Sequence, residues 1–166
     1  LFCEEHQLKC IVSVASSQYD SLIKSTVQKN VGTIATQYHY GDSIELMAKS
    51  TLSLVTSGTV SLEHALMGVP HVVAYKFNPL TFWIANTFFK KTLAKIPFMS
   101  MPNTLMKSEV FPELLQSRSS KNSIRYALDE TYLNHYKKIE EKCKLLWETL
   151  DKGNVSQQLA DEILGN

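Results

Sequence analysis

An α/β fold, a doubly wound parallel sheet followed by a helical tail, is predicted by three features of this sequence. Short apolar or β-branched runs at Leu8–Ala15, Val31–Thr36, Thr51–Val55 and His71–Phe77 alternate with stretches whose apolar residues recur at helical spacing. From about residue 117 to residue 166 the pattern is helical only. With 166 residues and 44% hydrophobic content, the chain has material for one ordinary core, which predicts a single domain. Strands alternating with helices in this way build a Rossmann-like sheet over about residues 1–116, with helices on both faces and ligands beyond the carboxyl ends of the strands.

The elements follow in order. Leu8–Ala15 reads as a buried strand, and Tyr19–Lys29 carries Leu22, Ile23 and Val27 at helical spacing. Val31–Thr36 is the second expected strand, rich in β-branched residues, and Tyr38-His39-Tyr40-Gly41 is the turn after it. Asp42 or Ser43 is suited to cap a helix carrying Ile44, Leu46, Met47 and Ala48. Thr51–Val55 is the third strand. Gly68 and Pro70 end the next helix and hand over to the strand from His71. Asn78-Pro79 caps a further helix, Ile96–Asn103 is expected to form a short strand closed by Pro102, and the pattern from Glu109 is helical: Val110–Leu115, Ser119–Thr131, Leu133–Leu150 and Val155–Leu164. Tyr132, Tyr136, Ile139, Cys143, Leu146 and Leu150 recur at helical spacing and are expected in the core.

The run from Val55 to Pro70 carries the most chemistry. It joins a strand to a helix through Ser57-Gly58-Thr59, a turn whose glycine lets the backbone approach a ligand while hydroxyls and amides face it. The first amides of the helix have no intrahelical partner and carry the positive end of its dipole, so a diphosphate is held there without a lysine. Glu63 falls one turn in, on the face of Thr59, where a carboxylate accepts from two ribose hydroxyls. The plainer reading is a strand–turn–helix joint that only packs, because Ser, Gly and Thr occur at such joints throughout doubly wound proteins. Asn103 is expected at the same ligand edge.

Charge and cysteine usage exclude several classes. A net charge of +1 and an isoelectric point near 7.9, with scattered lysines, argue against nucleic acid. Cys3, Cys10 and Cys143 have neither disulfide-framework nor zinc spacing, and the five histidines are dispersed, so no metal or cofactor is expected and a reducing cytoplasm fits. The sequence lacks a signal peptide and an apolar run of about 18 residues. It begins without methionine and reads as the interior of a longer protein.

The helix opened by Pro79 is apolar nearly all round, with Leu80, Phe82, Trp83, Ile84, Ala85, Phe88 and Phe89 followed by Lys90, Lys91 and Lys95. Burial in a larger core is one reading and an interfacial membrane helix the other.

Taken together, Ser57-Gly58-Thr59-x-x-Leu62-Glu63, Pro70-x-Val72-Val73-x-Tyr75, Pro79-x-Thr81-Phe82-Trp83 and Ser100-x-Pro102-Asn103 resemble, in order and spacing, the C-terminal half of the lipid-A-disaccharide synthase family, glycosyltransferases of the two-domain GT-B fold. The likeness runs through almost the whole chain, and the Pro-x-Thr-Phe-Trp and Ser-x-Pro-Asn elements are its more specific parts.

The resemblance implies transfer of a diacylated glucosamine from a UDP donor to a diacylated glucosamine 1-phosphate, with inversion and release of UDP, in lipid A biosynthesis. It implies that the chain is the donor-binding domain, with Ser57, Gly58 and Thr59 meeting the diphosphate, Glu63 the ribose and Asn103 the UDP. Tyr40, in a Tyr-His-Tyr departure from the family's uracil-side loop, and Lys76, in place of a frequent arginine, are weaker expected contacts. Lys76 neutralises phosphate without an arginine's bidentate fork. The family's N-terminal acceptor domain, its catalytic acid residue and its Gly-Ser-Arg loop have no counterpart in this sequence, so no catalytic residue is expected here and the chain is expected to be inactive alone. Both substrates carry acyl chains, which gives Phe82, Trp83, Phe88, Phe89, Lys90 and Lys91 a role against the cytoplasmic face of the inner membrane. The rival is burial against the partner domain or in a homodimer interface. Other UDP-sugar enzymes of this architecture, a peptidoglycan glucosaminyltransferase or a UDP-sugar epimerase, and a non-catalytic interaction domain remain open alternatives.

Overall fold

The computed structural model describes residues 2–31, 36–56, 58–77, 98–134 and 136–152. The expected helix after Pro79 and the expected last helix, Val155–Leu164, lie outside them. The backbone divides into two compact units, Leu1–Ser50 and Thr51–Asn166.

In the first unit a short helix α1 (Phe2–Glu5) precedes β1 (Cys10–Val14), a 3-10 turn (Ser17–Tyr19), α2 (Asp20–Val31), β2 (Thr36–Tyr40) and α3 (Ser43–Ala48). The two strands pair in parallel, Cys10 opposite Thr36 through Val14 opposite Tyr40. Of the expected second strand, residues 32–35 lie outside the described residues, and Thr36 opens β2. Val31 still belongs to α2, and the five-residue ladder with β1 selects Thr36–Tyr40, so the expected turn at Tyr38–Gly41 is largely strand. Asp42 caps α3 as expected, its carboxylate accepting from the Ile44 amide at 2.8 Å.

The second unit holds β3 (Ser53–Val55), α4 (Thr59–Leu66), β4 (His71–Tyr75), α5 (Met101–Met106), β5 (Glu113–Leu115), a 3-10 turn (Gln116–Arg118), α6 (Lys121–Asn134) and α7 (Tyr136–Lys152). Its three strands are parallel in the order β3-β4-β5. The sheet is wrapped on both sides because strand side chains alternate between faces. Val72 and Ala74 of β4, with Leu114, pack against Ile124, Ala127 and Leu128 of α6. His71, on the other face of β4, meets Ser61 of α4 and stacks on Phe111, and Phe111 belongs to the cluster of Ala65, Ile139, Cys143 and Leu146. The last three recur along α7 at the predicted spacing, and full burial of Ile139 and Leu146 contributes roughly 1.5–3 kcal/mol each. Burial pushes the Cys143 thiol up to about 11, so it stays protonated and serves as a small apolar residue.

α4 ends in a Schellman motif. Gly68, at φ 70°, donates to Ala65 O at 3.1 Å, and Val69 donates to His64 O at 2.8 Å. That turn delivers buried Pro70 and then β4, as the Gly-x-Pro signal predicted.

Two expectations fail between residues 96 and 115. Met101–Met106 is helical, where a strand was expected to run to Asn103, and Glu113–Leu115 is a strand, where a helix was expected. The causes lie in one buried network. Glu113 Oε1 accepts from the Met99 and Ser100 amides, and its Oε2 accepts from Ser100 Oγ and Asn103 Nδ2. The carboxylate thus caps α5 from across the chain, which permits a helix to begin at Met101-Pro102. The Val110 and Phe111 amides are taken by Asn103 Oδ1 at 2.8 and 3.0 Å, and the chain then pairs with β4, the Val73 amide donating to Pro112 O at 2.9 Å and Val73 lying opposite Glu113, so residues 113–115 are strand.

His71 gives the fold a pH dependence. Its Nδ1–H donates to Val69 O at 2.9 Å, which leaves Nε2 to accept from Ser61 Oγ at 2.8 Å. Burial, with no acid to compensate, brings its pKa from the ordinary 6.5 down to about 4, and the neighbouring His64 is lowered by the same cause. The unfolded chain takes up the His71 proton first as pH falls, so stability is full above about 6.5 and declines toward pH 4, by up to roughly 3 kcal/mol. Urea midpoints at pH 7 and pH 4.5 are expected to show this loss, and the double variant Ser61→Ala/His71→Leu is expected to flatten it.

Candidate functional site

The carboxyl edge of β3-β4-β5 is where the second unit exposes chemistry. β3 ends at buried Val55 and Thr56 is exposed. Gly58 precedes α4 with φ 119° and ψ −154°, a conformation essentially confined to glycine. Space alone does not require it, because a Cβ there meets nothing within 4 Å; the backbone torsion does. Gly58 has no side chain with which to cap the first turn of α4. Ser61, His64 and Ala65 bury one side of α4, while Thr59 and Glu63, four residues apart, are exposed. Ser57 lies outside the described residues.

β4 contributes Lys76, exposed and immediately beyond its last residue. In register, Tyr75 lies opposite Leu115, so Lys76 and Gln116 leave the sheet side by side. Neither strand end is loose. Ser119 Oγ donates to Leu114 O at 2.6 Å and lies 3.5 Å from Tyr75 O, pinning the 3-10 turn against both strands.

Asn103 is placed differently from the expected ligand edge. It is fully buried in α5, and its amide is fully used: Nδ2 donates to Phe111 O at 2.9 Å and Glu113 Oε2 at 3.0 Å, while Oδ1 accepts from Val110 and Phe111. In this arrangement it has no hydrogen bond left for a nucleotide. It sets the course of the chain into β5, and hence the position of Gln116. Glu113 and Gln116 were not singled out from sequence. Glu113 reads as an ordinary surface acid until the fold brings Ser100 and Asn103 to it.

Tyr40 ends β2 in the first unit. Its hydroxyl donates to Asp20 Oδ1, and Lys24 Nζ lies 2.8 Å from Asp20 Oδ2 and 5.4 and 5.6 Å from the Tyr38 and Tyr40 ring centroids. The hydrogen bond from Lys24, then that from Tyr40, lowers the Asp20 pKa. The membrane-facing candidates Phe82, Trp83, Phe88, Phe89, Lys90 and Lys91 lie outside the described residues. Among the described residues no helix is long and apolar enough to cross a membrane, and no three His, Cys, Asp or Glu side chains gather as metal ligands. An open groove of about 660 Å³ lies beside α6, lined in part by Glu109, Leu114, Arg118, Tyr126 and Glu130. It contains none of the expected donor contacts.

A parallel sheet wrapped on both faces, with a glycine turn and helix N-terminus at its carboxyl edge, defines a Rossmann-like α/β unit. Residues 3–164 match the family model described as lipid-A-disaccharide synthetase, and the chain belongs to that family. It is 34% identical over 165 residues to the lipid-A-disaccharide synthase of Gloeothece citriformis, covering 93% of this chain and 39% of that protein. The synthase of Aquifex aeolicus is 37% identical over 131 residues, covering 79% of this chain and 35% of its own length. That of Synechocystis sp. is 32% identical over 160 residues, covering 95% and 39%. The chain therefore spans about two fifths of the length of the curated relatives it matches.

Replacing Asn103 by Ala is expected to lower unfolding stability by about 3 kcal/mol or more, because two amides and a carboxylate oxygen lose a buried partner together. Equilibrium urea unfolding measures it; a loss under 1 kcal/mol contradicts the network's importance.

Proposed function

We infer that this chain is the donor-nucleotide-binding part of a lipid-A-disaccharide synthase, which transfers diacylglucosamine from a UDP donor to diacylglucosamine 1-phosphate and releases UDP. The observation that carries the reading is the Gly58 turn, whose glycine-only torsion opens the N-terminus of α4 at the carboxyl edge of a parallel sheet. Membership of the family and the chemistry of that edge support it together.

Thr59, with Ser57 and the amide-rich turn at Gly58, binds the diphosphate; Lys76 adds a cation from the next strand, and Glu63 accepts from the ribose. Fixed dipoles aimed at the diphosphate stabilise charge that develops on UDP as the glycosidic bond to it breaks. General-base activation of the acceptor hydroxyl and the acceptor surface are assigned in this reading to another part of the full enzyme, and this chain alone is inactive. The site works without a metal.

Titration with UDP, with CMP and GDP as controls, is expected to shift backbone amide resonances of residues 58–63 selectively. Gly58→Val is expected to weaken UDP binding at least tenfold while introducing roughly 1–3 kcal/mol of backbone strain. Equal shifts with all three nucleotides contradict the donor reading.

The acyl chains of both substrates assign Phe82, Trp83, Phe88, Phe89, Lys90 and Lys91 to the cytoplasmic face of the inner membrane, where the enzyme is peripheral. Replacing the four aromatics by serine is expected to abolish flotation with anionic liposomes; unchanged flotation refutes the assignment.

A further inference from the structure

Gln116 is the one described residue at the carboxyl edge that combines a strained backbone with an unmet side-chain donor. It follows β5 directly and takes φ 53°, the left-handed region that disfavours residues with a Cβ. Its side-chain Nε2 is buried and finds no hydrogen-bond partner among the described residues, although the residue as a whole is only half-buried. Each feature opposes folding, the first by about 1–2 kcal/mol and the second by about 1–3 kcal/mol.

The neighbours do not relax this strain. Gln116 O accepts from the Ser119 amide at 3.1 Å, and Ser119 Oγ is fixed on the carbonyls of Leu114 and Tyr75, so the turn is held in place. Upstream, the Glu113–Asn103 network sets the start of the same strand. The fold therefore over-determines a conformation that a glycine would adopt with less strain. Local strain enforced by its surroundings at a ligand edge is a sign of a functional group held ready.

The position fits the same ligand as the Gly58 turn. β3 and β5 flank β4, so Gln116 emerges about 10 Å across the edge from the β3–α4 turn, two strand spacings away. A sugar nucleotide is long enough to reach from one to the other. Nε2 has no hydrogen bond to give up when the half-buried side chain rotates out toward an incoming oxygen.

We propose that Gln116 is a donor-binding residue whose side-chain amide donates to an oxygen of the bound sugar nucleotide, and that the chain tolerates its strain for that contact. The assignment rests on the donor-nucleotide reading above.

A residue present for folding and one present for binding respond oppositely to substitution. Gln116→Gly removes the left-handed penalty and the unmet amide together, and its urea midpoint is expected to equal or exceed that of the parent chain. Gln116→Leu keeps the bulk and removes the amide. Calorimetric titration with UDP and with UDP-N-acetylglucosamine is expected to show both variants binding about five- to tenfold more weakly than the parent, as for one lost hydrogen bond to a polar or charged group. Weakening confined to the sugar nucleotide places the contact on the sugar, and weakening with both ligands places it on the nucleotide; either supports the assignment. Parent-like affinity in both variants overturns it, as does a fall in the Gln116→Gly midpoint, which marks a structural role. A parent chain that binds neither ligand removes the donor-nucleotide reading itself, and the assignment with it.

Discussion

A single buried carboxylate organises the second half of this molecule. Glu113 has no cation against it among the described residues; its charge is met by the amides of Met99 and Ser100, the Ser100 hydroxyl and the Asn103 side chain. A carboxylate taken out of water needs such a set of donors, and this set comes from one stretch of chain, so satisfying Glu113 folds that stretch into α5. Asn103 passes the constraint on by holding the amides of Val110 and Phe111, which sends the chain over Pro112 into β5. The position of the third strand end follows from this polar knot as much as from hydrophobic burial.

The apolar clusters do complementary work. α6 closes one face of the sheet and α4 with α7 the other, and His71 crosses from β4 to α4 as a neutral, hydrogen-bonded spacer. The Ser61–His71 pair has the atoms of a hydroxyl–imidazole couple, but both residues are sealed from solvent, so its action is on packing. Exposed chemistry is displaced to the ends of the strands. There the Gly58 and Gln116 torsions depart from ordinary extended or helical backbone, within two strand spacings of each other.

Much of the architecture was legible in the residues. The strands around Val12, Leu54 and Val73, the cap at Asp42, the exit at Gly68–Pro70 and the buried stripe of α7 each rest on local periodicity or turn chemistry, which sequence displays directly. Gly58 ahead of α4 was legible for the same reason, since it takes a torsion that only glycine accepts readily. Ser-x-Pro-Asn was legible as a motif but not as an interaction. Its asparagine reads as a polar group for a ligand, and the donors and acceptors that occupy it come from residues up to ten positions away.

An α/β chain with parallel strands and a glycine turn before α4 could be read from the residues, because each depends on contacts within a few residues or on residue types with one backbone preference. It took the folded chain to show that Tyr38–Tyr40 is strand, that Val110–Leu115 is not helical, and that Asn103 is a buried tie ahead of a strained Gln116. Those outcomes depend on which distant donor meets which acceptor, and a buried polar group takes the partner that folding brings to it.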